Sequence, residues 1–299
     1  MKRYNYFPGC SSSEGIGAAY GLSTQAVGEA FDIELIELAD WNCCGSTPYG
    51  SLDVIGSTCL SARNLALAEK ADGLDVVTPC SSCYITLNKA NSYLKEYPQL
   101  RSDVDEALAA ADLEYSGSVR VRHLAEILSE DVQPDAIRSK VKISLSGLNV
   151  APYYGCQLVR PRLGSDDPEC PQSLDRLAES VGAKVVPYPF KTHCCGGSLI
   201  ISEESLALEL IRKLLDSAQQ NGAHCVVTAC PLCQANLDAY QSRVNSKFKT
   251  NYSLPVLFFT QLMGVALGLA PRALGLEKNI VSPMKVLTPY LSVETSGGA

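Results

Sequence analysis

The chain has 299 residues, enough for one large domain or two of ordinary size. Hydrophobic residues make up 46% and charged residues 19%, with Gly and Pro not in excess, the balance of a soluble globular protein with a sizeable core. The formal net charge is -7 and no basic block occurs, which argues against nucleic acid or an anionic membrane as a partner.

Taken in chain order, residues 1–10 lack the apolar stretch of a secretory signal and read as a first strand ending near Cys10. Gly15, Gly17 and Gly21 follow the cysteine without the spacing of a dinucleotide loop; glycine there suits an approach of the backbone to a metal cluster held by that cysteine, or the start of a helix. Residues 33–38 have strand character and lead to Cys43-Cys44-Gly45. Residues 57–71 carry apolar side chains at helical spacing, with Gly73 as a stop. An apolar run then enters Cys80-Ser81-Ser82-Cys83. A polar stretch over 130–146 marks the boundary between a first unit, 1–145, and a second, 146–299. The same series recurs beyond it: Cys156, a strand over 184–188, Cys194-Cys195-Gly196, a helix over 203–221 stopped by Gly222, and an apolar run into Cys230-Pro231-Leu232-Cys233.

Residues 254–270 are the most apolar segment. Pro255, Thr260 and Gln261 interrupt it, and it is shorter than the ~20 residues a membrane helix needs, so no direct membrane span and a cytoplasmic location are expected. The tail from Ser296 reads as disordered.

The repeat is quantitative. In the first half 32 residues separate Cys10 from Cys43 and 35 separate Cys44 from Cys80; in the second the gaps are 37 and 34. The surroundings match as well: Tyr6-Phe7-Pro8-Gly9-Cys10 with Pro152-Tyr153-Tyr154-Gly155-Cys156, Val76-Val77-Thr78 with Val226-Val227-Thr228, and the stretch from His123 with the stretch from Phe259. Strand–helix alternation in each copy predicts an α/β protein of two pseudo-symmetric duplicated lobes, each a small Rossmann-like parallel sheet flanked by helices. Cys10, Cys80, Cys156 and Cys230 then fall at the C-terminal ends of strands, where such sheets present their sites. Two lobes meeting face to face would bring both cysteine sets to one interface.

Thirteen cysteines in an expected cytosolic protein point to metal or redox chemistry and not to disulfide staples. Each half has one Cys-x-x-Cys, one Cys-Cys and one lone Cys. Structural zinc takes four ligands, and so does a cubane [4Fe-4S] cluster, so the fifth thiolate is surplus for both. A cluster with five protein thiolates must bridge one between irons or depart from the cubane shape. Zinc in one half is the competing reading, since one Cys-x-x-Cys plus two further thiolates suffice.

The spacing, together with Asp40-Trp41-Asn42-Cys43-Cys44-Gly45, Lys191-Thr192-His193-Cys194-Cys195-Gly196-Gly197, Tyr154-Gly155-Cys156 and Asp167-Pro168-Glu169 before a helix from Ser173, resembles the CCG domain of the heterodisulfide reductase B subunit. The resemblance covers nearly the whole chain. It implies two noncubane [4Fe-4S] clusters, the first on Cys10, Cys43, Cys44, Cys80 and Cys83, the second on Cys156, Cys194, Cys195, Cys230 and Cys233. It also implies a catalytic role in two-electron reduction of a mixed disulfide, in methanogens that of coenzyme M and coenzyme B, or in oxidation of the thiols. Two clusters facing one pocket would each serve one sulfur. With no cubane-cluster motif of its own, the chain would take electrons from partners, by resemblance the family's cubane-cluster C and flavoprotein A subunits. Two alternatives stand beside this: an electron-transfer subunit of a succinate or fumarate reductase-like, quinone-linked complex, for which 254–269 is the weak candidate for a membrane-surface helix, and a scaffold with a structural metal.

Outside the repeat, Cys59 and Cys225 read as core thiols and Cys170 as an exposed loop residue. His193, next to the second Cys-Cys, is a candidate to hydrogen-bond cluster sulfur or protonate a product thiolate, against the equal alternative of a side chain turned away. His123 and His224 read as structural.

Overall fold

The computed structural model describes residues 1–13, 15–46, 48–160 and 166–291; the tail from Ser296 lies outside them. Two four-stranded parallel sheets form the framework. In the first the spatial order is β2 (Ile33–Glu37), β1 (Lys2–Tyr6), β3 (Val76–Thr78), β4 (Val121–His123). In the second it is β6 (Lys184–Val185), β5 (Asn149–Tyr153), β7 (Cys225–Thr228), β8 (Val256–Phe258). The identical order confirms a duplicated α/β architecture of Rossmann-like lobes. All pairings are parallel, so each connection is a helical crossover.

The helices form where apolar spacing and caps allow. Val54–Ala71 begins at Asp53, whose carboxylate accepts from the Gly56 amide at 2.8 Å, and Gly73 leaves its end at φ +66°. Glu204–Gln220 buries Ala207, Leu208, Ile211, Leu214 and Leu215 along one stripe and ends before Gly222. The strand expected over 184–188 pairs through Lys184 and Val185 and adds one bond, Val186 N to Val150 O at 2.9 Å. Pro187, which has no amide hydrogen, ends the pairing there.

Residues 254–269, the weak candidate for a membrane-surface helix under the fumarate reductase-like alternative, fold into the interior instead. The segment becomes β8 and the helix Phe259–Ala266, and every residue of that helix is buried. It packs on the first-half helix Ala18–Ala30: Tyr20 stacks on Phe258 with centroids 4.1 Å apart, and Ser23 Oγ meets Thr260 Oγ1 at 2.6 Å. One apolar core therefore runs through both halves, from Tyr4 and Val77 to Leu257 and Leu287. Each large side chain fully buried there contributes roughly 1.5–3 kcal/mol. Two smaller clusters lie under the cysteines, one around Cys44, Cys80 and Cys83, the other around Cys195, Cys230 and Cys233.

Candidate redox site at the junction of the two sheets

In each sheet the chain order reverses between the two central strands, β1 and β3 or β5 and β7. Such a switch point opens a crevice at the C-terminal strand ends because the flanking connections diverge to opposite sides. Cys10 and Cys80 stand at that point in the first sheet, Cys156 and Cys230 in the second. Cys80 caps the helix Ser81–Glu96 and Cys230 caps Pro231–Ala239. Both Cys-x-x-Cys turns thus sit at helix N-termini, where the unpaired amides favour negative charge.

The Cys-Cys pairs are held alike: the first cysteine is exposed and the second buried, both at Cys43-Cys44 and at Cys194-Cys195. The Cys44 carbonyl accepts from Ser61 Oγ at 2.7 Å, and the Cys195 carbonyl accepts from Asn236 Nδ2 at 2.7 Å. Asn64 exchanges two hydrogen bonds with the Asn42 backbone, and Tyr153 donates to the His193 carbonyl at 2.6 Å.

Across each set the buried thiols converge. Cys44 Sγ lies 3.4 Å from Cys83 Sγ, and Cys195 Sγ lies 3.6 Å from Cys233 Sγ. These separations far exceed a disulfide bond of about 2.05 Å. They approach the roughly 3.8 Å between thiolates that share a tetrahedral metal at metal–sulfur distances near 2.3 Å. The glycine before each first cysteine completes the cradle. Gly9 and Gly155 have φ of +70° and +66°, and an added Cβ would stand 2.7 Å from Cys83 Sγ and 3.1 Å from Cys233 Sγ. Gly17 and Gly21 do not approach the cysteines but allow backbone to pack on backbone: a Cβ on either would strike the Ser11 or Ser12 carbonyl, and Gly17 stands at the start of the helix Ala18–Ala30.

Electrostatics make the crowding explicit. Hydrogen bonds from Cys43 and Cys83 hold Cys44 down to about 4, and contacts with Cys156 and Cys195 hold Cys194 down to about 2. Their neighbours shift in the opposite direction: Cys43 is pushed up by its contact with Cys44, Cys156 by Cys194, and Cys195 to about 12 by Cys194. Thiols this close cannot all ionise without a compensating cation, although among the described residues no three metal-ligating side chains are already gathered around one point. The donor set, its spacing and the glycine cradle therefore fit a polynuclear metal centre in each half.

The two sets meet. Cys80 is pushed up first by its thiol contact with Cys230, across the junction between the halves. The carbonyl of Ala229, immediately before Cys230, gathers three donors from the first half: Ser81 Oγ at 3.0 Å, His123 Nε2 at 3.3 Å and Tyr20 OH at 3.4 Å. His123 Nδ1 accepts from the Ala125 amide, which leaves the ring hydrogen on Nε2. Burial pushes this histidine down to about 4, so it stays neutral. Strand register pairs Thr78 with His123 and Thr228 with Phe258, so the structural counterpart of His123 is Phe258, one residue before the match read from sequence.

A cavity of about 710 Å³ lies between the halves. All five second-set cysteines line it, with Leu199 and Leu232, and its first-half wall comes from Gly45, Ser46, residues 50–61 and the helix Ser81–Glu96. No first-set cysteine is among its lining residues, although Gly45, Ser46, Ser81 and Ser82 flank that set. The two sets were expected to face one pocket; the lining of this cavity includes the second-set cysteines and residues adjoining the first set. His193 is exposed, packs edge-on against Phe190 at 4.8 Å, and does not line it. Cys225 is fully buried, Cys170 exposed and Cys59 half-buried. The donors converging on Ala229 carried no motif and were missed.

The site and fold define a duplicated cysteine-rich redox protein. The CCG cysteine-rich domain matches residues 4–88 and 150–238. The chain is similar to the 8-methylmenaquinol:fumarate reductase membrane anchor subunit of Wolinella succinogenes, 35% identical over 288 residues, spanning 96% of this chain and 99% of the relative. It is also similar to the ferredoxin:CoB-CoM heterodisulfide reductase B subunit of Methanosarcina mazei, 34% identical over 301 residues and 98% of each chain. A protein of Archaeoglobus profundus that is itself like the heterodisulfide reductase B subunit is 32% identical over 280 residues, 91% of this chain and 92% of that one. A crystal structure of a hypothetical protein from Helicobacter pylori shares the fold with a TM-score of 0.75 at 19% identity, covering 94% of this chain and 52% of that one. The chain belongs to the heterodisulfide reductase B-subunit family of CCG cysteine-rich, iron–sulfur oxidoreductase proteins. No described helix is long and apolar enough to cross a membrane.

Proposed function

We propose that this chain is the disulfide-handling subunit of a heterodisulfide reductase-like complex in the cytoplasm, with one noncubane [4Fe-4S] cluster on each five-cysteine set and one CCG unit on each side of residue 145. The observation that carries the reading is the junction itself: the neighbours of Cys80 and Cys230 bond across it, Ser81 Oγ to the Ala229 carbonyl at 3.0 Å, beside a cavity lined by all five second-set cysteines. Bound clusters supply one-electron redox chemistry at each set. The reaction consumes two electrons and two protons per disulfide: the S–S bond breaks, each sulfur gains one electron and one proton, and two thiols leave. The electrons come from partner proteins, of which a cubane-cluster protein and a flavoprotein are the expected kinds. The chain's own residues position the substrate and shield it. Leu199 and Leu232 give the cavity apolar walls, and the helix N-termini at Cys80 and Cys230 stabilise added negative charge.

A titration of the anaerobic chain with a thiol and then its mixed disulfide, followed by EPR, tests this. A paramagnetic signal that appears with one thiol and changes on substituting Cys194 or Cys195 supports the assignment. A spectrum indifferent to thiol and disulfide contradicts it. The second reading, an electron-transfer subunit of a fumarate reductase-like complex, draws support from similarity to the Wolinella protein. It predicts co-purification with a fumarate-reducing flavoprotein and no response to disulfides.

A further inference from the structure

We infer that Ser81, His123 and Tyr20 are positioning residues that hold the two cysteine-bound centres at different reduction potentials, the second above the first. The inference rests on the proposed clusters and adds the order in which they take electrons. All three side chains belong to the first half, and all three donate to the Ala229 carbonyl of the second, at 3.0, 3.3 and 3.4 Å. A single peptide unit joins Ala229 to Cys230. Ser81, His123 and Tyr20 are fully buried, so these bonds are shielded from bulk water.

The duplication supplies its own control. The matching carbonyl of the first half is that of Pro79, immediately before Cys80. Ser81 is matched by Pro231, which has no hydroxyl, and His123 by Phe258, which has no donor. Among the described residues no second-half side chain donates to the Pro79 carbonyl; the His123 ring, which lies near it, turns its Nε2 hydrogen to Ala229. Phe258 instead stacks on Tyr20 with centroids 4.1 Å apart and holds that hydroxyl beside Ala229. The two copies agree at the cysteines and differ at the donors, and every donor acts toward the second set.

Three donors exceed the two lone pairs of a carbonyl oxygen, so the positive ends of their dipoles crowd at the strand end that carries Cys230. Reduction adds negative charge to a centre, and donors beside its thiolates stabilise that charge most where water is excluded. The second centre therefore takes up an electron at a higher potential than the first. It is also the one whose five cysteines line the cavity. The first electron arriving from a partner protein settles beside the cavity, and the next fills the first centre.

The test is a dithionite titration of the anaerobically purified, cluster-loaded chain, followed by EPR, on wild type, Tyr20→Phe, Ser81→Ala and His123→Phe. Phe keeps the Tyr20 ring on Phe258, and the fold already holds Phe at the register of His123. The wild type is expected to show two midpoints. In the variants, iron content separates a lost site from a shifted potential. The higher midpoint should fall and the gap narrow, the reduced-to-oxidised ratio of that centre dropping about three- to ten-fold at a fixed potential. One midpoint shared by both centres, or a gap unchanged in Tyr20→Phe and Ser81→Ala, overturns the inference and leaves the clusters standing. Absence of any reducible iron–sulfur signal in wild type overturns the cluster reading as well.

Discussion

Gly9 and Gly155 occupy matching places in the two halves, each before the first cysteine of its set and each with positive φ. Two costs fall on any side chain there: left-handed backbone, roughly 1–3 kcal/mol, and collision of Cβ with a cysteine sulfur. Gly9→Ala, with its 2.7 Å approach, is expected to empty the first set and leave about half the wild-type iron; Gly155→Ala, at 3.1 Å, should be milder at the second. Iron and sulfide per chain measure both. Equal loss from both sets after either change would contradict the cradle. Asp238 gives a pH prediction away from the cysteines. It is buried on the helix Pro231–Ala239, and its carboxylate accepts from the Ile280 and Val281 amides and from Gln234. Burial raises it to about 6 from the usual 3.8. Between those values the folded chain holds a proton that the unfolded chain has released, so stability falls as pH rises from about 4 to 6 and is level above. Urea unfolding across that range should show this decline, and Asp238→Asn should flatten it.

At the scale of elements, the cysteine spacing was legible because covalent distance along the chain survives folding unchanged. Five cysteines recurring in order announced two copies of one unit, and each Cys-x-x-Cys did fall at a strand end. The helix Phe259–Ala266 was not legible as a core element. Its apolar composition alone suits a lipid surface or a protein interior equally; only the packing of Ala18–Ala30 against it decides. The same pairing explains why Tyr20, which no motif marked, touches the second half: its ring stacks on Phe258 and its hydroxyl reaches Ala229. Leu262 is 1% exposed in this interface. Leu262→Ala should cost about 2–5 kcal/mol, read from denaturant midpoints. A loss below about 1 kcal/mol would mean that the interface is loose.

For the whole molecule, the shared core means that the halves are two copies in sequence but one packed body in stability. Trp41, the sole tryptophan, packs on Phe7 beside Cys43 in the first half. Its fluorescence should therefore follow the same unfolding transition as the far-UV signal, and Leu262→Ala in the second half should shift both by the same amount. Separate transitions would argue for independent halves. The unequal cavity belongs to this scale also. Duplication in sequence implied two clusters facing one pocket, yet among the described residues the cavity is lined by the second-set cysteines and, from the first half, by residues beside its own set and along the helix Ser81–Glu96. Such asymmetry arises from how two copies dock, and neither copy's sequence states it.

Each five-thiol set is proposed to hold an iron–sulfur cluster. The direct measurement is the iron, acid-labile sulfide and zinc content of the full chain purified without oxygen. About eight irons with a matching amount of sulfide per chain, four for each set, is the expected result. Stoichiometric zinc with little iron or sulfide would contradict it and leave a structural metal protein.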